Sequence, residues 1–266
     1  MNKLNFAIVG AKTIAQKHLA GIKQTDEAEI TAVCDIHEEI AKTTAEKWNV
    51  PFFYSDYDEM LRRKDIDVVI VATPDGVHRD GTVKALKAGK HVLCEKPMAL
   101  TTSDCIEMIK ASRETDKKLM IGQVCRQSPG FTMAKKMVDE GEIGELFFVE
   151  SEYAHDYTDN FGQDGWRIDP QNPRPAVIGG GCHAVDLLRW IAGNPTEAFA
   201  YSNRKVLTDW PVDDCTIAVL KFPDNVNGKI FTSIGCKREY TMRTVLYGTK
   251  GTIIADYRSP RVTVYK

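Results

Sequence analysis

The chain has 266 residues, of which 35 are basic and 37 acidic, so the formal net charge of -2 gives no basic footprint of the kind that binds nucleic acid. Apolar residues make up 43% of the chain, which suffices for one large or two ordinary domains, and no run approaches the ~20 apolar residues of a membrane span. The seven cysteines form no C-x-x-C pair, and the first residues lead into a predicted strand without a signal-peptide pattern. We therefore expect a reduced, cytoplasmic globular protein.

Short apolar runs alternate with amphipathic helical patterns through the first half of the chain. The strand-like runs are LNFAIVG, EITAVCD, DVVIVATP, HVLCEKP and KLMIGQV. Nearly continuous Val, Ile, Leu and Ala runs are typical of strands that are buried on both faces of a parallel sheet. The alternation predicts a Rossmann-type, doubly wound α/β domain over residues 1–122.

The second half of the chain, residues 123–266, has a different pattern. A helical stretch at PGFTMAKKMVDEG leads into the strand-like GELFFVESEYAHDY and then a polar loop from Asp156 to about Pro175. The helical spacing of GGGCHAVDLLRWIAG stops at Gly193, and the runs after it are short, β-rich and separated by turn signals. This pattern predicts an α+β domain with a mostly antiparallel open sheet.

The first predicted strand ends in Gly10, where a dinucleotide-binding turn would lie. In the G-x-G-x-x-G pattern, Gly10 permits the tight bend, Lys12 occupies the position that lets the backbone approach the pyrophosphate, and Ala15 packs helix on strand. The side chain of Lys12 must either point away from the phosphates or contact them. On this pattern alone, a strand–turn–helix without a ligand is the alternative.

Asp35 ends the second apolar run. A carboxylate there can accept hydrogen bonds from the adenosine ribose hydroxyls and would repel a 2′-phosphate. Ile36 and His37 follow it in place of an arginine or lysine, which favours NAD over NADP. The amides at the start of the first helix, which include Thr13 and Ile14, would bind the pyrophosphate. The alternative for Asp35 is an ordinary turn or N-cap acid.

Four motifs occur in a fixed order: ATPDGVH at residues 72–78, CEKP at residues 94–97, then EGEIGELFFVE, and HAVDLLRW at residues 183–190. Over essentially the whole chain they resemble the Gfo/Idh/MocA family of oxidoreductases, and the Glu-Lys-Pro triplet is the most specific of them. The resemblance implies a pyridine-nucleotide enzyme that oxidises or reduces sugars, inositols or related polyols. It also implies a second domain for substrate binding and oligomerisation, forming a homo-dimer or homo-tetramer through its sheet.

The resemblance implies roles for individual residues. Lys96 corresponds to the lysine that contacts the reacting hydroxyl and the nicotinamide side, and Thr73 and Pro74 correspond to the pair near the nicotinamide. His183 corresponds to the catalytic histidine, and the peptide between Lys96 and Pro97 is expected to be cis. Without the resemblance, Lys96 would be an ordinary surface lysine and His183 a histidine bonded at a helix start.

The complete predicted site combines the residues with the resemblance. The catalytic pair is Lys96 and His183. The cofactor-binding residues lie in the turns of the first half: Gly10, Lys12, Thr13, Ile14, Asp35, Thr73, Pro74, His78, Glu95 and Lys96. The substrate-binding residues lie in the second half: Arg126, Tyr153, Trp166, Arg167, His183 and Asp186. We predict NAD as the cofactor, with NADP less favoured, a small polyol or sugar as the substrate, and no metal.

Oxidation of a secondary alcohol requires removal of the hydroxyl proton as hydride leaves the same carbon. Histidine, with an ordinary pKa of about 6.5, suits this role, which typically contributes 10²–10⁴-fold in rate. Lysine, at about 10.4, stays protonated, so we assign His183 as the acid/base and Lys96 as a cationic donor that stabilises alkoxide character. Glu95 would hold Lys96 in place or neutralise it. Asp186, one helical turn after His183, could orient it, bind substrate, or be an ordinary first-turn acid.

The chain departs from the family pattern at Gly179, where many relatives carry an aspartate four residues before the histidine. Either another acid or a water is expected to supply that role. The candidates in and beside the polar loop are His155, Asp156, Asp164 and Asp169. In the same loop, Trp166 could stack on a sugar face and Arg167 could bind hydroxyls or an anionic group. The alternative for both is a packed, salt-bridged loop.

Four further positions carry weaker signals. Arg126 follows a strand near the domain junction, where relatives often place a residue that faces the substrate. Tyr153 and His155 are two residues apart in a predicted strand, so they are expected to share a face. His78 is expected to cap or pack in the loop on the nicotinamide side.

Three functions stay open on these residues. The first is an NAD-dependent dehydrogenase of sugars or inositols. The second is a redox-neutral enzyme, such as a glycosidase-type elimination through transient oxidation, which Lys96 and His183 do not exclude. The third is a non-catalytic, ligand-sensing relative, which fits Lys12 and Gly179 but not the retention of both catalytic residues. Relatives usually continue past a position like Lys266, so we expect this chain to lack the family's carboxyl-terminal end.

Overall fold

The computed structural model describes residues 3–266, apart from the side chain at position 163. The chain folds into two compact units, Met1–Gly122 and Gln123–Lys266. We call them the amino-terminal unit and the carboxyl-terminal unit. Within residues 3–266, no helix combines the length and the apolar character that a membrane span requires.

The amino-terminal unit is built on a six-stranded sheet in which every neighbouring pair is parallel. The strands are β1 Leu4–Val9, β2 Ala28–Cys34, β3 Phe52–Tyr54, β4 Val68–Val71, β5 His91–Cys94 and β6 Leu119–Ile121. Their order is β3-β2-β1-β4-β5-β6. The order reverses at β1 and β4, which is the point of an open α/β sheet where ligands bind, beyond the carboxyl ends of the strands.

Five helices connect these strands and cover both faces of the sheet. They are α1 Thr13–Ile22, α2 Glu38–Trp48, α3 Tyr57–Leu61, α4 His78–Lys87 and α5 Thr102–Thr115. Successive residues of β1 point alternately into two separate apolar clusters, with Ala7 and Val9 in one and Ile8 in the other. Both faces are therefore buried, which explains why the strands read as continuous apolar runs.

The carboxyl-terminal unit is built on a seven-stranded open sheet. Its strands are β7 Leu146–Ala154, β8 Glu197–Asn203, β9 Cys215–Lys221, β10 Asn227–Ser233, β11 Thr241–Gly248, β12 Gly251–Asp256 and β13 Val262–Tyr265. They lie in the order β13-β12-β11-β7-β10-β9-β8, and only the β7–β10 pair is parallel. The predicted fold class, a Rossmann-type unit followed by an α+β unit with a mostly antiparallel open sheet, is confirmed.

Three helices accompany this second sheet: α6 Pro129–Asp139, α7 Ala176–Gly179 and α8 Cys182–Ala192. The apolar stripe of α8, which includes Ala184, Leu187 and Leu188, is fully buried in the core of the unit. The helix ends where Gly193 takes a φ of 89°, as its sequence predicted. This packing fixes the orientation of the polar residues on the first turn of α8.

Two strands were not predicted from the sequence. β3 lies at the edge of the first sheet and has three residues, too few to show an alternation of apolar and polar positions. β8 lies at the edge of the second sheet and all seven of its residues are exposed, so it lacks the alternation of buried and exposed positions that identifies a strand. Edge position is the common reason that both were missed.

The turn after β1 passes very close to the chain that leaves β4. Gly10 has a φ of 85°, in the left-handed region that favours glycine. A methyl group added there would lie 2.6 Å from the carbonyl oxygen of Ala72 and 2.8 Å from the backbone nitrogen of Thr73. The close approach of these two segments therefore requires a residue without a side chain.

We predict that Gly10→Ala lowers the free energy of unfolding by at least about 2 kcal/mol, because it combines a strained φ with a backbone clash. Urea unfolding measures this change. Gly21→Ala is the matched control, since Gly21 lies in α1 and an added methyl would meet no described atom within 4 Å beyond the neighbouring residues and backbone of that helix. Alanine there is expected to stabilise by up to about 1 kcal/mol. Equal stabilities of Gly10→Ala and the wild type would contradict the steric account.

Candidate active site

The turn between β1 and α1 presents backbone N–H groups at the carboxyl edge of the first sheet. Lys12 is the N-cap residue of α1, and within the described part of the chain no side chain caps this helix and no acid lies in its first turn. The first amides and the positive end of the helix dipole, at Thr13 and Ile14, are an arrangement that binds a pyrophosphate. The turn therefore fits the phosphates of a dinucleotide.

The carboxylate of Asp35 braces this turn. Its Oδ2 accepts the backbone N–H of Ala11 at 2.9 Å, and its Oδ1 accepts that of His37 at 3.0 Å. Asp35 is 5% exposed. The carboxylate thus holds the end of β2 against the turn after β1, and its contact with an adenosine ribose stays a prediction.

Thr73 lies in the loop that follows β4, and His78 begins the next helix, α4. The Oγ1 of Thr73 is buried and has no hydrogen-bond partner among the described residues, which is costly unless a ligand supplies one. His78 is 1% exposed, with Nε2 2.9 Å from the carbonyl oxygen of Thr73 and Nδ1 2.8 Å from that of Pro97. His78 therefore joins the Thr73-Pro74 loop to the segment after β5, and the Thr73 hydroxyl fits a bound cofactor.

The Glu95-Lys96-Pro97 segment begins directly after β5. The backbone N–H of Glu95 donates to the carbonyl oxygen of Val71 at 2.9 Å, which extends the sheet by one bond. The Lys96–Pro97 peptide is cis, which confirms that expectation. Glu95 accepts the backbone N–H of Lys96 at 3.1 Å, so its carboxylate holds the main chain of this residue.

Four segments thus meet at one edge of the amino-terminal sheet. They follow the neighbouring strands β2, β1, β4 and β5, and they carry Asp35, Gly10, Thr73 and Lys96. Parallel strands end at the same edge, so the sheet gathers residues that are far apart in the sequence. All the predicted cofactor-binding residues lie in these segments.

In the carboxyl-terminal unit, three successive glycines precede His183. A side chain at Gly179 would collide with the guanidinium of Arg174, one at Gly180 with the phenol ring of Tyr153, and one at Gly181 with Thr232. Arg174 is buried and donates from Nη2 to the carbonyl oxygen of Gly179 at 2.8 Å. The space next to Gly179, where many relatives were expected to have an aspartate, therefore holds a cationic group.

His183 lies in the first turn of α8 and is 5% exposed. Asp186, one turn later, is held by Arg126, whose Nε and Nη2 donate to its two oxygens at 2.7 and 2.6 Å. Two of the predicted substrate-binding residues are thus paired with each other. Both oxygens of Asp186 are thus bonded to Arg126 in a bidentate pair. An action of Asp186 on His183 stays a prediction.

Trp166 and Arg167 lie in a short 3₁₀ segment of the polar loop and pack within it. The guanidinium of Arg167 lies 4.6 Å from the Trp166 ring centroid, and that of Arg174 lies 5.2 Å from it. Arg167 also donates to Oδ1 of Asn160 at 2.8 Å and lies 5.8 Å from the Tyr157 ring. These contacts favour the packed-loop alternative, with two cations close to the indole ring.

Tyr153 and His155 are brought together, as their spacing predicted. The Tyr153 hydroxyl lies 3.0 Å from Nε2 of His155 and 2.9 Å from the hydroxyl of Tyr157. Burial, together with the positive charge of Arg167, lowers the pKa of His155 to about 4, and burial raises that of Tyr153. His155 is therefore neutral at physiological pH, and the three side chains form a hydrogen-bonded group in which the two tyrosines are buried and the histidine is half-buried.

Two of the acids considered as replacements for the missing aspartate are engaged locally. Asp156 accepts the backbone N–H of Thr158 at 2.9 Å and pairs with Lys237 at 3.0 Å, and its pKa falls to about 2, chiefly through the Thr158 side chain. Asp169 accepts the backbone N–H of Gln171 at 2.9 Å. Both carboxylates thus stabilise turns of the loop.

Sequence reasoning missed Arg174 and His18, which contact predicted site residues. The signal for Arg174 was the Gly179–Gly181 run, because consecutive small residues leave room for large neighbours. The Nε2 of His18 lies 2.8 Å from Oε1 of Glu95, across 77 residues of sequence, and no local pattern indicates that contact. Within residues 3–266, no group of three or more His, Cys, Asp or Glu side chains is arranged to hold a metal ion.

Comparisons with known proteins place this geometry in a family. Residues 4–123 match the oxidoreductase family with an NAD-binding Rossmann fold, and residues 131–254 match the GFO/IDH/MocA carboxyl-terminal domain. An inositol 2-dehydrogenase of Salmonella paratyphi B is 28% identical over 252 residues, covering 93% of this chain and 72% of its own length.

Two further similarities show how varied the relatives are. A 2,7-anhydro-N-acetylneuraminate hydratase of Escherichia coli is 27% identical over 270 residues, covering 95% of this chain and 68% of its own length. A levoglucosan dehydrogenase solved with NADH is 23% identical, with a TM-score of 0.92 over 99% of this chain and 76% of that one, which shows a shared fold. Two family models that together span most of the sequence decide the assignment: the chain belongs to the Gfo/Idh/MocA family of oxidoreductases, whose amino-terminal part is an NAD-binding Rossmann fold.

Proposed function

We propose that this oxidoreductase transfers hydride between NAD and a secondary alcohol of a sugar, an inositol or a related polyol. In this proposal residues 1–122 bind the dinucleotide, and residues 123–266 bind the substrate. The related inositol 2-dehydrogenase supports the substrate class.

One observation carries the proposal. The edge of the first sheet gathers three features: the start of α1 behind Gly10, which no described side chain caps, the hydroxyl of Thr73, which has no hydrogen-bond partner among the described residues, and the lysine of the Glu-Lys-Pro segment. The first two suit the phosphates and polar groups of a dinucleotide, and Lys96 adds a cationic donor at the same edge.

The proposed roles of the catalytic pair follow from their chemistry. NAD, when bound, accepts or returns the hydride. Lys96 donates a hydrogen bond to the substrate oxygen and stabilises its alkoxide character, while His183 takes the hydroxyl proton in oxidation and returns it in reduction. In the substrate unit, Arg126, Tyr153 and Asp186 are proposed to line the site or support its walls.

The charge around the end of β2 supports NAD over NADP. The Asp35 carboxylate lies at the proposed ribose position, and Glu38 and Glu39 occupy the first turn of α2 beyond it. Three carboxylates close to a 2′-phosphate would oppose its binding. NAD is therefore the proposed cofactor.

A homo-oligomer that uses the open sheet belongs to the same proposal. Phe199 pairs across β8 and β9 with Val219, and Tyr201 pairs with Ile217, so all four share one face. All four side chains are exposed. A contiguous apolar patch of this kind on a sheet is typical of a protein interface.

A screen of inositols, sugars and other polyols with NAD and NADP tests the function, with the absorbance of the reduced nicotinamide as the signal. We expect turnover with NAD on at least one cyclic polyol. Absence of stoichiometric NADH binding in calorimetry would refute the proposal. Cofactor that survives desalting, with substrate conversion but no net NADH, would instead favour the redox-neutral alternative, to which the related hydratase gives weight.

Lys96→Ala is expected to lower kcat/KM on any substrate found by roughly 10²–10³-fold, because it removes a donor aimed at the developing alkoxide. Initial rates with saturating NAD measure the loss. Lys87→Ala, which removes an exposed lysine from α4, is the matched control and should behave as the wild type. A Lys96→Ala enzyme with a nearly normal rate would refute the role of this lysine.

His183→Ala is expected to lower kcat by roughly 10²–10⁴-fold without abolishing NADH binding, since it removes only the proton acceptor. Steady-state kinetics and NADH calorimetry separate the two effects. Arg189→Ala, an exposed position on the same helix, controls for damage to α8. Full activity in His183→Ala would assign the acid/base role to another group.

Lys12→Ala is expected to weaken NADH binding by up to about fivefold at low salt, and by less at high salt. Lys12 is partly exposed, and a solvent-accessible cation next to a diphosphate contributes only about 1 kcal/mol and is screened by ions. Calorimetry at two ionic strengths gives both values, with Lys17→Ala as the control from the same helix. Unchanged affinity would mean that the Lys12 ammonium points away from the phosphates.

A further inference from the structure

The carboxylate of Glu95 is buried and bonded on both oxygens. Glu95 is 6% exposed, its Oε1 lies 2.8 Å from Nε2 of His18, and its Oε2 accepts the backbone N–H of Lys96 at 3.1 Å. The backbone of Gly122 passes beside this carboxylate, and a methyl group added to Gly122 would lie 3.4 Å from Oε1. A buried carboxylate needs such partners, because it has lost those that water would supply.

His18 reaches Glu95 from a different element. It lies in the middle of α1, the helix whose start was assigned above to the pyrophosphate, and its side chain is 19% exposed. Burial acts to raise the pKa of Glu95, but the hydrogen bonds from His18 and from the Lys96 backbone outweigh it and hold that pKa below its usual range. The carboxylate is therefore ionised, and its hydrogen bonds are of the stronger, charge-assisted kind.

The backbone on both sides of the Lys96 side chain is consequently fixed. Before it, the Lys96 N–H is held by Glu95, and Glu95 is held by His18. After it, the carbonyl oxygen of Pro97 lies 2.8 Å from Nδ1 of His78. Two histidines, one from α1 and one from α4, thus hold the two ends of the segment that presents the lysine.

We propose that His18 is a positioning residue that acts through Glu95 to fix the backbone carrying Lys96. This inference rests on the proposed function, in which Lys96 contacts the reacting oxygen. A neutral imidazole with its proton on Nε2 suffices, because it then donates to Glu95. The contact also connects the helix of the phosphate-binding turn directly to the lysine segment.

The test compares His18→Leu, which removes the donor, with His18→Gln, whose terminal amide retains one. In His18→Leu we expect NADH to bind with a stoichiometry near one per chain and with a similar dissociation constant. We expect kcat per bound NADH to fall by up to about 100-fold, with KM little changed, because a misplaced group costs rate more than binding. His18→Gln is expected to regain most of the lost rate, and Lys17→Ala to match the wild type.

A second readout needs neither substrate nor turnover. The rate at which a small acetylating reagent modifies Lys96, followed by mass spectrometry of the full chain's peptides, is expected to rise severalfold in His18→Leu and not in Lys17→Ala. An unchanged Lys96 modification rate in His18→Leu would overturn the proposal.

Two kinetic outcomes would also overturn it. One is a His18→Gln variant that is as slow as His18→Leu. The other is a His18→Leu variant whose rate falls only in proportion to the fraction of chains that still bind NADH, because that fraction measures misfolding. A wild-type protein that does not bind NADH would instead refute the proposed function. The acetylation result would still decide whether His18 fixes Lys96.

Discussion

The close approach of two backbone segments at Gly10 and Ala72 is the constraint on which the amino-terminal site depends. With no side chain at Gly10, the turn after β1 can lie against the chain leaving β4, and the Ala11 N–H can reach the Asp35 carboxylate. The start of α1 then lies beside the Thr73 loop. A larger residue at this one position would separate the two segments that the proposed cofactor needs together.

Hydrogen bonds connect the region of this contact to the segment that carries Lys96. The Glu95 N–H continues the ladder of β4, His78 ties the Thr73 carbonyl to that of Pro97, and His18 ties α1 to Glu95. Each of these groups is buried or nearly so, which makes leaving one unpaired costly. The lysine is therefore held by a rigid network instead of by a free loop.

In the carboxyl-terminal unit, several large side chains lie beside the segment that leads into α8. Its glycine run at residues 179–181 leaves room for Arg174, Tyr153 and Thr232. The Arg174 guanidinium lies where an aspartate was expected from the family pattern, so the local charge has the opposite sign. On α8, the Arg126–Asp186 pair adds an ionic contact.

Much of the fold and part of the site could be predicted from local patterns. Apolar runs gave the parallel strands, the spacing of Ala184, Leu187 and Leu188 gave α8, and the Glu-Lys-Pro triplet gave the family. Edge strands such as β8 were not predicted, because a fully exposed strand has no buried face and so lacks the alternation of apolar and polar residues. For Trp166 and Arg167 a packed loop was one of the two predicted alternatives, but their individual partners could not be predicted, since only folding brings those partners near.

The sequence by itself determined most of the elements, their order and the residue types available for the proposed chemistry, because periodicity, turn residues and short motifs are local properties. Only the tertiary structure decided which of those residues meet. His18 and Glu95 are 77 positions apart, and Arg126 and Asp186 are 60 apart, yet each pair lies within hydrogen-bond distance. Contacts of this kind are set by the packing of strands and helices around three apolar clusters, and no short stretch of sequence specifies that packing.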